Sequence, residues 1–313
     1  MFQVASHPAA FHLREHSRRP SYDRPHTPKH SSSASNAAIQ LPRTLTRPPF
    51  TDISRDALST AAPDLASVPT EFIRHHLLAK APQMQAGLAA LAPSHIAKSY
   101  PRAHLPPALI VPLRNVAGPP PSYPTHALAV GAPPPKGLRE APADAPQTIF
   151  AVHAVVLAAH CAKLPRLPPS HSGSGANATL PILPLILPSP QAFTLLHQFI
   201  YTHRIDTLLA SLLPLPSPFL DSLTSSSVSG GPSAHQILTA TLATPSVLHT
   251  LSAHLASASA GSLTTLMSHA AHVKELWQDM VALGVYDVVL WDALDLAWEV
   301  VLGGMNLAAG VGQ

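Results

Sequence analysis

The amino-acid sequence predicts an α+β fold, one small sheet flanked by helices, with helical extensions on both sides and a disordered N-terminal tail. Three observations point there. Short apolar runs bounded by proline and glycine cluster mid-chain, at Thr125–Val130 (THALAV), Thr148–Val152 (TIFAV) and Ile182–Leu187. Beyond them apolar residues recur at helical spacing, as in Leu263, Leu266, Met267, Val273, Leu276, Trp277 and Met280. The first 49 residues mix Pro, Ser, His and Arg without any apolar period, the pattern of a chain that cannot build a core.

Order is expected to begin near Thr51. Residues 53–66 and 70–91 carry helical spacing, with Leu58 and Leu65, then Phe72, Ile73, Leu77, Leu78, Met84, Leu88 and Leu91. Pro82 should break or bend the second run, because it lacks an N–H and crowds the preceding turn. Residues 92–124 read as Pro-rich connections with one short strand at Leu109–Val111. After the strands at Thr125 and Thr148, His153–Ala162 reads as a buried helix, and Lys163–Thr179, with its PPSHSGSG run, as a flexible insertion. Ser189 can cap a helix with Pro190 at its first position, running to about Tyr201. Further helices are expected at His235–Leu242, Ser246–Ala256 and Ser262–Leu283. A last amphipathic one, from Asp287 to about Leu307, should dock through Trp291, Leu294 and Trp298, with Trp277 upstream, and turn Asp292, Asp295 and Glu299 to solvent. These elements divide the chain into a basic tail at 1–49, a helical Pro-rich region at 50–120, a core at 121–283 and a C-terminal helix at 284–313.

Composition excludes several classes. The chain has 36 Pro and 20 His, yet only 11% charged residues, against an average of about 25%. Short elements, long loops and a Ser-, Thr- and His-rich surface follow. The single cysteine, Cys161, cannot form an intramolecular disulfide, which argues against a secreted disulfide scaffold. No apolar h-region marks a signal peptide in the first 49 residues. The uncharged stretch 167–203 is interrupted by Pro181, Pro184, Pro188 and Pro190, so it does not read as a membrane span. The charge is lopsided. Residues 1–49 hold seven Lys/Arg against Glu15 and Asp23, whereas residues 274–313 hold Lys274 against six acids, so the two ends stand at +5 and −5. A basic tail can contact nucleic acid or serve as an import signal.

Two mid-chain segments carry a recognisable pattern. Ile149–Cys161 (IFAVHAVVLAAHC) resembles the BTB/POZ strand ending in F-x-A/V-H and its following helix, and Leu185–Thr202 (LILPSPQAFTLLHQFIYT) resembles that family's next strand and helix. The resemblance implies a core built on Phe150, His153, Leu157, Phe193, Leu196, Phe199 and Tyr201. It leaves homodimerisation open, because the Lys expected after His153 is Ala154 and two loops are long. Over about residues 50–310, the order FIRHHL, LAPSHI, THALAV, VHAVVLAAHCAKLP, SPQAF, FIYTHR, LLPLP and VLWDALDLAWEVVLGGMNLAA is similar to the clampless protein family of basidiomycete fungi. That likeness implies a nuclear (alternatively cytoplasmic) regulator of clamp-cell formation and dikaryotic development under mating-type control. Such a regulator acts through other proteins such as transcription regulators, and no active-site residues come with it.

Candidate chemistry is sparse. His269 and His272 lie one helical turn apart with Glu275 a turn further, the best local metal geometry, but zinc needs three or four converging ligands and no metal site is assigned. His153 reads as a core histidine bonded to backbone, and Cys161 as a small hydrophobe in an apolar helix rather than a nucleophile. No P-loop, G-x-G-x-x-G or G-x-S-x-G occurs, so neither catalysis nor a cofactor is expected. PPSYP, PKGLREAP and the LLPLP region are the expected exposed contact loops, with no membrane partner; direct nucleic-acid binding through the basic tail is one alternative function and a His-based metal-binding protein or enzyme the other. Ser21 and Thr27 resemble basophilic and proline-directed kinase sites.

Overall fold

The computed structural model describes residues 41–115, 117–169, 176–225 and 232–311. Residues 45–313 form one unit and residues 1–44 another; every element below belongs to the former. In the described residues 41–44 there is no helix or strand. Phosphorylation candidates Ser21 and Thr27 lie outside the described residues.

The N-terminal helices are short because serine and proline punctuate them. Ser54 caps α1 (Arg55–Ala61) by accepting from the Ala57 N–H. Helix α2 (Thr70–Ala79) ends at Lys80, and Pro82 sits in the first turn of α3 (Ala81–Ala89), so the break expected at that proline is real. Ile73, Leu77 and Met84 face the core, but Phe72 and Leu78 do not: they lie on the outer side of α2, 70% and 40% exposed.

The sheet has the order β1-β4-β3-β5-β2. Its strands are β1 (Ser99–Pro101), β2 (Ala108–Pro112), β3 (His126–Gly131), β4 (Pro146–Val152) and β5 (Asn177–Ile186). β3 and β4 form an antiparallel pair with Leu128 opposite Phe150, and β5 runs parallel to β3 with Leu183 beside Leu128. β5 is longer than its sequence suggests, since Pro181 and Pro184 interrupt the run. The structure resolves this by changing partners mid-strand: residues 177–181 pair with β2 and residues 182–186 with β3. Apart from Ile182, whose N–H reaches the Pro107 carbonyl on the β2 side, each half is paired along one edge, so a missing proline N–H disturbs the ladder less than in a strand paired throughout.

Helix α4 (Ala154–His160) follows β4, and the Arg74 side chain of α2 donates to the Ala159 carbonyl at its C-terminal end. Ser189 caps α5 (Pro190–Thr202) as its sequence predicts, accepting from Ala192 N–H. Two helices were not legible as such: α6 (Ile205–Leu212) and α7 (Ser217–Ser225). In α6, Ile205, Leu208, Leu209 and Leu212 follow helical spacing and are buried, as are Leu213 and Leu215. The LLPLP region is therefore core, not an exposed contact loop; its prolines end a helix whose leucines need cover.

The remaining helices make a C-terminal bundle of α8 (Ala234–Leu242), α9 (Pro245–Ala258), α10 (Leu263–Leu283) and α11 (Val288–Val311). A Ser233/Gln236 capping box starts α8, Ser262 caps α10, and Gly284, at φ 65°, stops α10 in the left-handed conformation. α11 contacts α6, α8, α9 and α10. Trp291, Leu294 and Trp298 are buried as expected, but so are Leu290, Ala293, Leu296, Ala297 and Val300 on its other sides. Instead of an amphipathic cover, α11 is the central helix of the bundle. Gly303 lets α9 approach closely, since a Cβ there would lie 2.2 Å from Ser252 Oγ. Among the described residues no helix is long and apolar enough to cross a membrane.

Candidate functional site

The motif residues form the sheet–helix core. Leu157, Phe193, Leu196, Phe199 and Tyr201 are buried, and the half-buried Phe150 meets Phe193 edge-on at 4.9 Å between ring centroids. His153 is buried and bonded at both ring nitrogens, to the Ser122 carbonyl through Nε2 and to the Tyr201 hydroxyl through Nδ1, each at 2.9 Å; its backbone N–H donates to the same hydroxyl. One assignment satisfies all three: Nε2–H donates to Ser122, Nδ1 accepts from Tyr201 O–H, and the phenol oxygen accepts from the backbone. Burial lowers the His153 pKa and raises that of Tyr201. Around them His197 falls to about 4 and His160 to about 3, both chiefly by burial, and Cys161 is pushed up to about 12 for the same reason. These groups are locked in structural bonds or apolar packing.

The acidic residues of α11 sit elsewhere than expected. Asp292 is buried, its carboxylate taking Arg47 Nη2 at 2.8 Å and His235 on the other oxygen; Arg47 Nε reaches Asp295 at 2.9 Å. Glu299 is half-buried and engaged in an interaction. The reading of a solvated acidic face is thus wrong, because its counter-charge comes from a residue assigned to the tail. Burial alone would lower the Arg47 pKa, but its hydrogen bonds to Asp292 and Asp295 hold it above the ordinary value. Trp277 is a second correction: it is half-buried rather than core, its indole N–H donating to the Thr46 carbonyl at 3.0 Å.

His269, His272 and Glu275 do not converge. His269 Nδ1 bonds the Leu212 carbonyl at 3.1 Å, while Glu275 accepts from Ser189 Oγ at 3.1 Å. Among the described residues no group of three or more His, Cys, Asp or Glu is placed to share a metal ion.

Glu275 instead borders an open cleft of about 700 Å³. One wall is the Pro-rich loop after β3, through Pro133, Pro135, Pro142 and Asp144; the other is the start of α5, through Pro188, Ser189, Pro190 and Gln191. PKGLREAP, one of the contact loops expected from sequence, supplies part of the first wall and is largely exposed. Tyr123 of PPSYP is also exposed, though Pro124 is buried. Ser189 ties the second wall to α10: its hydroxyl bonds Glu275 and its N–H donates to Asp279 Oδ1 at 2.9 Å. Asp279 is completely buried, its Oδ2 has no hydrogen-bond partner, and burial, reinforced by Glu275, pushes its pKa up to about 7. The sequence placed Glu275 and Asp279 one turn apart, but that Ser189 lay over them required the fold.

A search of curated proteins and a search of solved structures each found no match. Two protein-family models do match, Clampless protein 1 N-terminal domain over residues 48–188 and Clampless protein 1 C-terminal domain over residues 206–313. Together they cover most of the chain, in the order and over the region where the sequence motifs lie. The chain belongs to the clampless protein family.

Proposed function

We propose that this chain is a non-enzymatic regulator of clamp-cell formation and dikaryotic development that works by binding other proteins, among them transcription regulators of the mating pathway, in the nucleus. The family name points to clamp formation and development. The observation that carries the mechanism is the cleft between the Pro-rich loop and the start of α5, an accessible concave surface on a rigid frame. The frame itself is read as a degenerate BTB/POZ-like core. In support, β3 and β4 pair antiparallel, α4 follows, β5 returns parallel to β3 and α5 packs its Phe193 on Phe150. Supporting a binding role over catalysis, the side chains with reactive chemistry, His153, Tyr201 and Cys161, are buried in structural roles.

Gln191→Trp tests this reading by filling the cleft from an exposed helix position. In a strain from which the gene is deleted, this variant should fail to restore clamps and should lose the nuclear partners that proximity labelling finds with the natural chain, while its melting temperature is unchanged. Full restoration of clamps with the same set of partners would overturn the reading.

A further inference from the structure

We propose that the cleft is a binding site for one cationic side chain, Arg or Lys, carried on an extended segment of the partner protein; this deepens the docking reading above and rests on it. Three observations carry it. First, the cleft is lined by both Asp144, from the Pro-rich loop, and Glu275, from α10. Second, Asp279 lies directly behind Ser189 of the wall, wholly buried with one carboxylate oxygen unpartnered. A buried carboxylate with an open lone-pair site needs a donor or a counter-charge. Third, the charge there is not cancelled from within. The wall loop carries Lys136 and Arg139, and Arg102 reaches it, but the Arg102 guanidinium bonds the Ala141 carbonyl. Among the described residues no Lys or Arg is ion-paired with Glu275, Asp144 or Asp279; the start of α5 adds about half a positive charge. The group whose charge bears on Asp279 is Glu275, which adds to the penalty rather than relieving it.

A guanidinium or ammonium entering between Pro142 and Gln191 meets this imbalance directly. It would pair with Glu275 and Asp144 and, by offsetting the Glu275 charge that bears on Asp279, favour the ionised form of Asp279. The planar fork of Arg suits paired carboxylates, whereas Lys supplies a point charge. Pro133, Pro135, Pro142 and Pro190 supply rigid apolar walls for the stem of such a side chain. The segment must be extended, because the two walls are a loop and a helix start rather than a groove between helices.

The test titrates the full chain with two labelled hexapeptide pools, identical except that one fixes Arg and the other neutral citrulline at the central position. The Arg pool should bind about tenfold more tightly, and Glu275→Gln should reduce it to the citrulline level. Arg-pool binding should also weaken as pH falls from 8 to 6, because protonating Asp279 removes its charge. Equal binding of the two pools, or none by either, overturns the inference. If Gln191→Trp still abolishes partner capture in those cases, the docking reading survives and only the charge assignment falls; if Gln191→Trp leaves every partner bound, the docking reading itself fails.

Discussion

Arg47 and Asp292, 245 positions apart in sequence, form a 2.8 Å ion pair that fastens the segment before α1 to the central C-terminal helix. Asp292 is nearly buried while Arg47 keeps about a third of its side chain exposed (6% and 35%). The pair is backed by neighbours on the same segment: the Thr46 carbonyl takes the Trp277 indole N–H, Phe50 meets Tyr286 edge-on, and Leu45 is buried. Arg47→Ala leaves a buried carboxylate with His235 alone. It should destabilise by about 1–3 kcal/mol, below the value for a fully buried pair because water screens the arginine. Urea unfolding checks this, and Arg47→Lys should recover only part of the loss, since a lysine cannot reach both carboxylates with one planar fork. An unchanged urea midpoint in Arg47→Ala would show that the contact carries no stability.

Trp298 sits at the centre of the bundle, 1% exposed. Trp298→Ala removes a large buried volume that neighbouring helices cannot refill, and should cost about 3–5 kcal/mol, a large share of an ordinary domain's stability and so a marked fall in its thermal midpoint. Met267, on the outer face of α10 and 39% exposed, is the contrast. Met267→Ala should stay within about 0.5 kcal/mol. Equal thermal midpoints for the two variants would contradict the burial assigned to α11.

The Tyr201 hydroxyl serves His153 twice, as acceptor for its backbone N–H and as donor to Nδ1. Tyr201→Phe keeps the ring packing but leaves both His153 groups without that partner, and should cost about 1–3 kcal/mol. Its mark is spectroscopic as well as energetic: the His153 ring resonances should move in NMR while those of Trp291 stay in place. A variant as stable as the natural chain, with unmoved His153 resonances, refutes the bonding.

Acid should act on the core histidines in a definite sense. His160 and His197 have folded pKa values of about 3 and about 4, below the ordinary value, so the unfolded chain binds more protons and stability falls as pH drops below about 6.5. Asp279 works in the opposite direction. Its folded pKa of about 7 lies above the ordinary carboxylate value, so its contribution is present at low pH and is lost as pH rises towards 7 and beyond. Asp279→Asn, a neutral group that still accepts from Ser189, should therefore gain stability over the natural chain as pH rises from 4 to 8. A stability difference independent of pH would show that Asp279 does not hold its proton in the fold.

Local physics made much of this protein legible from its sequence. Proline at Pro82 and Pro190, serine at Ser189 and glycine at Gly284 act within a turn of where they stand, so helix starts and stops could be read without the fold. The short apolar runs around Leu128 and Phe150 placed two strands, and the motif residues His153 and Tyr201 lie together, hydrogen-bonded and buried. Missed were α6 and α7, where prolines masked a leucine period, and the length of β5, whose prolines are tolerated because the strand changes partners midway. Everything that depends on contacts remote in sequence was decided by tertiary structure alone. Residues 292 and 295 looked solvated because no base follows Lys274 in the sequence, yet Arg47 neutralises them from the other end of the chain. Spacing put Glu275 and Asp279 on one helix, but only packing laid Ser189 and a Pro-rich wall over them to make a cleft. Helical and strand periods are written in neighbouring residues, whereas charge pairing and concavity arise between segments that sequence order keeps far apart.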